Sequence, residues 1–209
     1  MKNRLSLLLV DFDGVTSVGR FYATNNMSEN ALSLCVSDFV FSKDNKKLVQ
    51  DWMRGKLRYQ DLHRLVEKKQ GIGADQLDDL LKRSVKEMKM NSQMLAYLQK
   101  LRKQGIVVSL FTDNMDIFDT VSRYHHELDS QFDYIYSSSM YGQLKLENDT
   151  LLKKAIYDAR TRPSEVAFVD DSTEAYEKAT KYGIKTFVYG KYVDSQPDFE
   201  AWVGENFIM

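Results

Sequence analysis

Hydrophobic and polar positions follow three successive patterns along this chain. Leu5-Ser6-Leu7-Leu8-Leu9-Val10 is a short apolar run that stops at Asp11-Phe12-Asp13-Gly14. Successive side chains of a strand point to opposite faces, so a run apolar at consecutive positions predicts a strand buried on both sides. From about Ser28 to Met90 the apolar positions recur at helical spacing. Leu32, Cys35, Val36, Phe39 and Val40 form one stripe, and Leu48, Val49, Trp52 and Met53 a second. Tyr59, Leu62, Leu65 and Val66 form a third, then Leu77, Leu80, Leu81 and Met88. With breaks near Lys43-Asp44-Asn45, Arg54-Gly55 and Gly71-Ile72-Gly73, these stripes predict about four short helices and no strand.

After residue 90 helical and strand patterns alternate. Ser92 is placed to cap a helix carrying Leu95, Leu98 and Leu101, which Gly105 ends, and Ile106 to Phe111 reads as a buried strand ending at Thr112. A helix over about 115–124 follows, then a strand-like Phe132 to Tyr136 and a helix from roughly Asp149 to Arg160. Val166 to Val169 runs into Asp170-Asp171, a helix spans about Thr173 to Tyr182, and Ile184 to Val188 forms a last strand. Alternation of this kind requires crossover connections, hence an α/β, doubly wound parallel sheet with helices on both faces. The boundaries this implies are a core of residues 1–16 and 91–209, interrupted after its first strand by an all-helical insert, 17–90.

Composition narrows the classes. The 209 residues carry 29 Lys+Arg against 30 Asp+Glu, and this balance gives no reason to expect nucleic acid or a membrane surface as partner. One cysteine, Cys35, excludes a disulfide scaffold and a thiolate metal cluster within the chain, and its place on an apolar stripe predicts a small buried residue. No apolar run is long enough to span a bilayer, so a cytoplasmic, globular chain without a targeting segment is expected. The balance is uneven, however: residues 16 to 92 hold 14 Lys+Arg and 10 Asp+Glu, a +4 stretch, and the remainder is −5.

In an open parallel sheet ligands bind beyond the carboxyl ends of the strands. There this chain places Asp11 and Asp13, then Thr112-Asp113-Asn114, then Asp170-Asp171. Carboxylates held that close call for a cation, and oxygen ligands suit Mg²⁺, which leaves positions for substrate phosphate oxygens. A turn beginning at Gly14 can aim one carboxylate of the Asp11/Asp13 pair at the metal and the other at a leaving group, as nucleophile and as general acid and base. Thr112 supplies a hydroxyl and Lys145 an ammonium for the transferring oxygens.

Asp11-Phe12-Asp13-Gly14-Val15 after an apolar strand resembles the first motif of the haloacid dehalogenase (HAD) superfamily, whose members are mostly phosphatases. Thr112 resembles its second motif, Lys145 its third and Val169-Asp170-Asp171-Ser172 its fourth, in the same order, and the helical segment resembles the small helical cap of many members. The resemblance covers nearly the whole chain and implies a Rossmann-like core with an inserted cap domain. It implies that Asp11 becomes an aspartyl phosphate and that Asp13 protonates the leaving oxygen and then activates water. It further implies Mg²⁺ on Asp11, the Asp13 carbonyl and Asp171 with Asp170 nearby. Thr112, Lys145 and the backbone N–H groups of Phe12 and Asp113 would hold the phosphoryl oxygens. Two positions depart from the pattern: Leu146 stands where proline often follows the lysine, leaving Lys153 or Lys154 as competitors, and Asp113 adds a charge where Asn or Gly is frequent.

The leading expectation is thus a Mg²⁺-dependent phosphatase acting on a small phosphorylated metabolite. A phosphosugar mutase of the same superfamily and a non-catalytic binding protein on the same fold are its rivals; the latter should lack one of Asp11, Asp13 or Asp171. His63, His125 and His126 have no ligand spacing, and His63 is expected at a core edge or partly exposed. Arg54, Lys56, Arg58 and Gln60 surround a turn between insert helices and are candidates for substrate contact, although a solvated turn is the simpler reading. Substrate and oligomeric state are not legible.

Overall fold

The computed structural model describes residues 3–190 and 195–208. Its chain begins with β1 (Asn3–Arg4), β2 (Leu7–Val10) and β3 (Ser17–Val18), followed by the helices α1 (Asn30–Val40), α2 (Lys46–Met53), α3 (Tyr59–Gln70) and α4 (Ala74–Lys86). β4 (Lys89–Met90), α5 (Ser92–Lys103), β5 (Val107–Thr112), α6 (Arg123–His125), α7 (Leu128–Gln131), β6 (Tyr134–Ser137) and α8 (Ser138–Tyr141) come next. The chain closes with α9 (Thr150–Asp158), β7 (Val166–Asp170), α10 (Thr173–Thr180), β8 (Lys185–Val188), α11 (Gln196–Asn206) and β9 (Phe207–Ile208).

Five parallel strands form the central sheet in the order β6-β5-β2-β7-β8. The chain leaves β2 for β5 and β6 on one side and returns across it to β7 and β8, so the order reverses at β2, where crevices open beyond the carboxyl ends. All four residues of β2 are buried, as a strand covered on both faces must be. Leu8 and Val10 join one apolar cluster, Leu7 and Leu9 the other. The first cluster continues into α1–α4 through Val36, Val40, Trp52, Leu62, Leu77 and Leu80, so the inserted helices share the core of one sheet face.

The strand-free expectation for the insert needs correction at its end. β4 pairs antiparallel with β3, Ser17 opposite Met90, and Asn91 fastens both: its N–H donates to the Thr16 carbonyl (2.9 Å) and its Nδ2 to that of Val15 (3.0 Å). Two residues per strand are too few to leave a period in the sequence. Asn91 rather than Ser92 caps α5, its Oδ1 accepting from Met94 N at 3.1 Å. The helix expected over 115–124 is widened into a π-helical turn at Phe118–Ser122.

Two side chains lie opposite to expectation. Cys35 is exposed, because α1 buries Val36 and Val40 at four-residue spacing and turns Leu34 and Cys35 outward. His63 is fully buried, held between Tyr22 and Asp78, whose polar groups satisfy both ring nitrogens. The C-terminal α11 and the parallel pair β1/β9 carry no clear period and were not anticipated.

Candidate active site

The turn after β2 shapes the site. The carbonyl of Phe12 accepts from Thr16 N (3.0 Å) and Ser17 N (2.8 Å), curling the chain back so that Asp11 and Asp13 leave the sheet edge in different directions. Gly14 makes this possible in two ways: its φ is +79°, and a Cβ there would lie 2.2 Å from Asp171 Oδ2. The motif glycine is therefore the space in which Asp171 sits. Phe12 buries its ring against Phe118 and donates its N–H to Asp11 Oδ1 at 2.9 Å.

Lys145 reaches the centre. Its Nζ lies 2.9 Å from Asp11 Oδ1 and 2.6 Å from Asp170 Oδ2, and all three side chains are buried. Asp113 receives the backbone N–H of Lys145 at 2.6 Å, so the extra carboxylate after Thr112 holds the lysine's loop in place. Asp170 also accepts from Ser172 N at 2.9 Å, bracing the turn into α10. Thr112 Oγ1 is buried without a hydrogen-bond partner. Asn114, two residues on, donates from Nδ2 to Asp13 Oδ2 at 3.0 Å and is itself anchored through its N–H to Ser138 Oγ at 2.9 Å. Lys153 and Lys154 lie on α9, paired with Asp149 and Asp158, and do not compete for the site.

Oxygens of Asp11, Asp170 and Asp171 lie within 4.8 Å of one another. Burial, reinforced by Asp170 and Asp13 against the pull of Lys145, pushes the Asp11 carboxyl up to about 8. Burial alone would lower the Lys145 ammonium, but Asp11, Asp170 and Asp113 hold it well above the usual lysine range. One ammonium thus faces an excess of hard, anionic oxygens, a donor set that fits a small divalent cation such as Mg²⁺.

Two clefts meet at Met53 of α2. One of about 300 Å³ is lined by Asp11, Asp113, Lys145, Asp170 and Asp171 from the core and by Lys46 and Gln50 from α2. The other, about 710 Å³, is lined by Asp13, Phe21, Ser37, Phe41, Ser42 and Met115 among others. Lys46, Gln50 and Phe41 were not singled out by the sequence, since nothing local tells which residues of a short helix face a crevice.

Arg54, Lys56, Arg58 and Gln60 line neither cleft. Their turn is docked on the core instead. Arg54 makes a two-pronged pair with Glu147 (2.9 and 3.0 Å), Ser138 Oγ donates to the Met53 carbonyl (2.7 Å), and Asp116 accepts from Trp52 Nε1 (2.6 Å) and Tyr59 N (3.2 Å). Glu147 also accepts from Leu144 N at 3.1 Å, so the insert is tied to the loop that carries Lys145.

Fold and site together define a Rossmann-like α/β core with an acidic carboxyl edge. The chain belongs to the haloacid dehalogenase-like hydrolase family, whose profile matches residues 24–189. Bifunctional epoxide hydrolase 2 of Rattus norvegicus is 23% identical over 97% of this chain, which spans only 40% of that relative's length. A HAD-like family hydrolase from Porphyromonas gingivalis superimposes with a TM-score of 0.75 at 18% identity, covering 95% of this chain and 98% of the other. A HAD family enzyme from Bacteroides thetaiotaomicron, crystallised with magnesium and inorganic phosphate, gives 0.70 at 21% identity over 93% and 99%. A 2-haloacid dehalogenase from Pseudomonas syringae pv. Tomato DC3000 shares the fold at 0.64 and 13% identity over 95% and 99%.

Proposed function

We propose that the protein is a Mg²⁺-dependent phosphatase that hydrolyses a small phosphorylated metabolite through an aspartyl phosphate on Asp11. The observation that carries this reading is the convergence of Asp11, Asp170 and Asp171 on one point, with Lys145 bridging two of them and the unpartnered Thr112 hydroxyl buried at the end of the adjacent strand β5. A carboxylate oxygen of Asp11 attacks phosphorus while Asp13 gives its proton to the departing alcohol oxygen. Asp13 then takes a proton from water, which attacks phosphorus and releases inorganic phosphate and the free Asp11 carboxylate. Thr112, Lys145 and the N–H groups of Phe12 and Asp113 are the donors for the phosphoryl oxygens. Asp11, Asp171 and the Asp13 carbonyl, with Asp170 nearby, would hold Mg²⁺, which would neutralise the charge of a phosphoryl group entering an acidic site. Asn114 keeps the Asp13 carboxylate directed across the site.

Residues 17–90 act as a cap over a core of 1–16 and 91–209, limiting bulk water during transfer. The Bacteroides relative's complex with magnesium and phosphate supports the assignment. The dehalogenase on the same fold makes halide release the necessary control. No helix among the described residues is long and apolar enough to cross a membrane. Steady release of phosphate from para-nitrophenyl phosphate, abolished by chelator and by Asp11→Asn in a folded variant, is the result expected. Halide release from 2-chloropropionate with no phosphate ester hydrolysed overturns it, and isomerised hexose phosphate in place of free phosphate assigns a mutase.

A further inference from the structure

We infer that the alcohol carried by the phosphoryl group is apolar, an alkyl or aryl body rather than a polyol, and that it occupies the larger cleft. The inference rests on the phosphatase reading, and it follows from where the two acidic side chains face. Asp11 borders the small cleft with Lys145 and Asp171, while Asp13 borders the large one. An oxygen protonated by Asp13 must come within about 3 Å of its carboxylate, so whatever that oxygen carries extends into the cleft beside Asp13. At about 710 Å³ this cleft is of the size that takes a whole small molecule.

The walls are apolar where the substrate body would lie. Met115 is 1% exposed, Met53 lines both clefts, and Phe21 and Phe41 stand together with ring centroids 6.3 Å apart. Phe21 is backed by Trp52 at 6.2 Å, so this wall has a rigid support. Phe41 is 42% exposed, an aromatic side chain left open on the cleft side of the insert. Two thioethers and two phenyl rings give the cleft an adaptable apolar surface, beside the hydroxyls of Ser37 and Ser42. Of the charged groups on the lining, Arg20, Asp38 and Lys43 are exposed, whereas Met115 is buried. A polyol lying against the thioethers and rings would lose its water there without regaining partners from them.

The test is a chain-length series on the wild-type protein with Mg²⁺: methyl, butyl, hexyl and octyl phosphate, with glycerol phosphate and a hexose phosphate as polar controls. kcat/KM is expected to rise about three- to fourfold per added methylene until the cleft is filled, with the polar controls below alkyl phosphates of equal size. Phe41→Ser, at a half-exposed position that tolerates change, is expected to flatten the slope. Binding of the matching alkyl phosphonates by calorimetry separates the two readings. Turnover without dependence on chain length, or with hexose phosphate preferred, overturns the inference and leaves the phosphatase standing. No turnover of any ester together with graded phosphonate binding overturns the phosphatase and leaves the apolar cleft. Absence of both overturns both.

Discussion

A methyl group at residue 14 would occupy the position of a carboxylate oxygen. Gly14→Ala must hold an L side chain at φ +79° and displace Asp171 from 2.2 Å, so two penalties fall on one atom. The backbone cost is about 1–2 kcal/mol, read by urea unfolding, and on the proposed function the displaced carboxylate is expected to lower Mg²⁺ affinity and turnover about 10- to 100-fold. Unchanged Mg²⁺ titration in Gly14→Ala would remove Asp171 from the metal site. His63 offers a second single-residue test. Its Nε2 accepts from Tyr22 Oη at 2.8 Å and its Nδ1 donates to Asp78 at 2.5 Å, the arrangement of a neutral ring. Burial lowers its pKa below 6.5, helped by Lys82 and opposed by Asp78 and Asp116. Below pH 6.5 the unfolded chain then binds the proton that the folded one refuses, so stability falls with pH until the folded pKa is passed. The slope contributed is at most about 1.4 kcal/mol per pH unit. Urea midpoints of wild type and His63→Gln should diverge between about pH 7 and pH 5, and parallel curves would show that His63 does not titrate there.

At the scale of elements, the turn joining α2 to α3 decides how the insert sits. The half-buried Asp116 is pushed up by burial and is stabilised by its bonds from Trp52 and Tyr59. Trp52→Phe keeps most of the ring in the shared apolar core but deprives Asp116 of its shortest donor, a loss of about 1–3 kcal/mol. The Arg54–Glu147 pair is nearer water, with the Glu147 side chain 40% exposed, so Arg54→Met should cost under about 1 kcal/mol. Thermal unfolding of the two variants side by side checks the order; a larger loss for Arg54→Met would mean that the ion pair holds the insert. The stripes of α2 and α3 were legible because both helices pack one face on the core. Which residues of their connecting turn would dock was not legible, because Asp116, Ser138 and Glu147 lie far along the chain.

Across the whole molecule the charge asymmetry acquires a location. Of the cations in the +4 stretch, Lys46 lines the smaller cleft and Arg20 and Lys43 the larger, and Lys178 of the core, paired with Glu174, also lines the smaller. For the proposed phosphate ester their field would favour approach to the carboxylates, but it is screened over about 10 Å at 0.1 M salt and about 3 Å at 1 M. KM for an anionic ester should therefore rise with ionic strength while kcat changes little, and Lys43→Gln with Lys46→Gln should weaken that dependence. A KM insensitive to salt in the wild type would show that these charges do not steer substrate.

The sequence by itself determined the elements whose signal is local: β2, β5 and β7 as apolar runs ending in Asp11, Thr112 and Asp170, and four helices between β3 and β4 from their periodic stripes. Periodicity reports which face of one element meets the core, and it reports nothing about what lies across a crevice. Only the tertiary structure decided that Lys145 bridges Asp11 and Asp170, that Asp113 braces the lysine's loop, and that Asp11 and Asp13 open onto different clefts. Those relations depend on strands brought side by side from distant parts of the chain, where a side chain's partners are set by the order of the sheet.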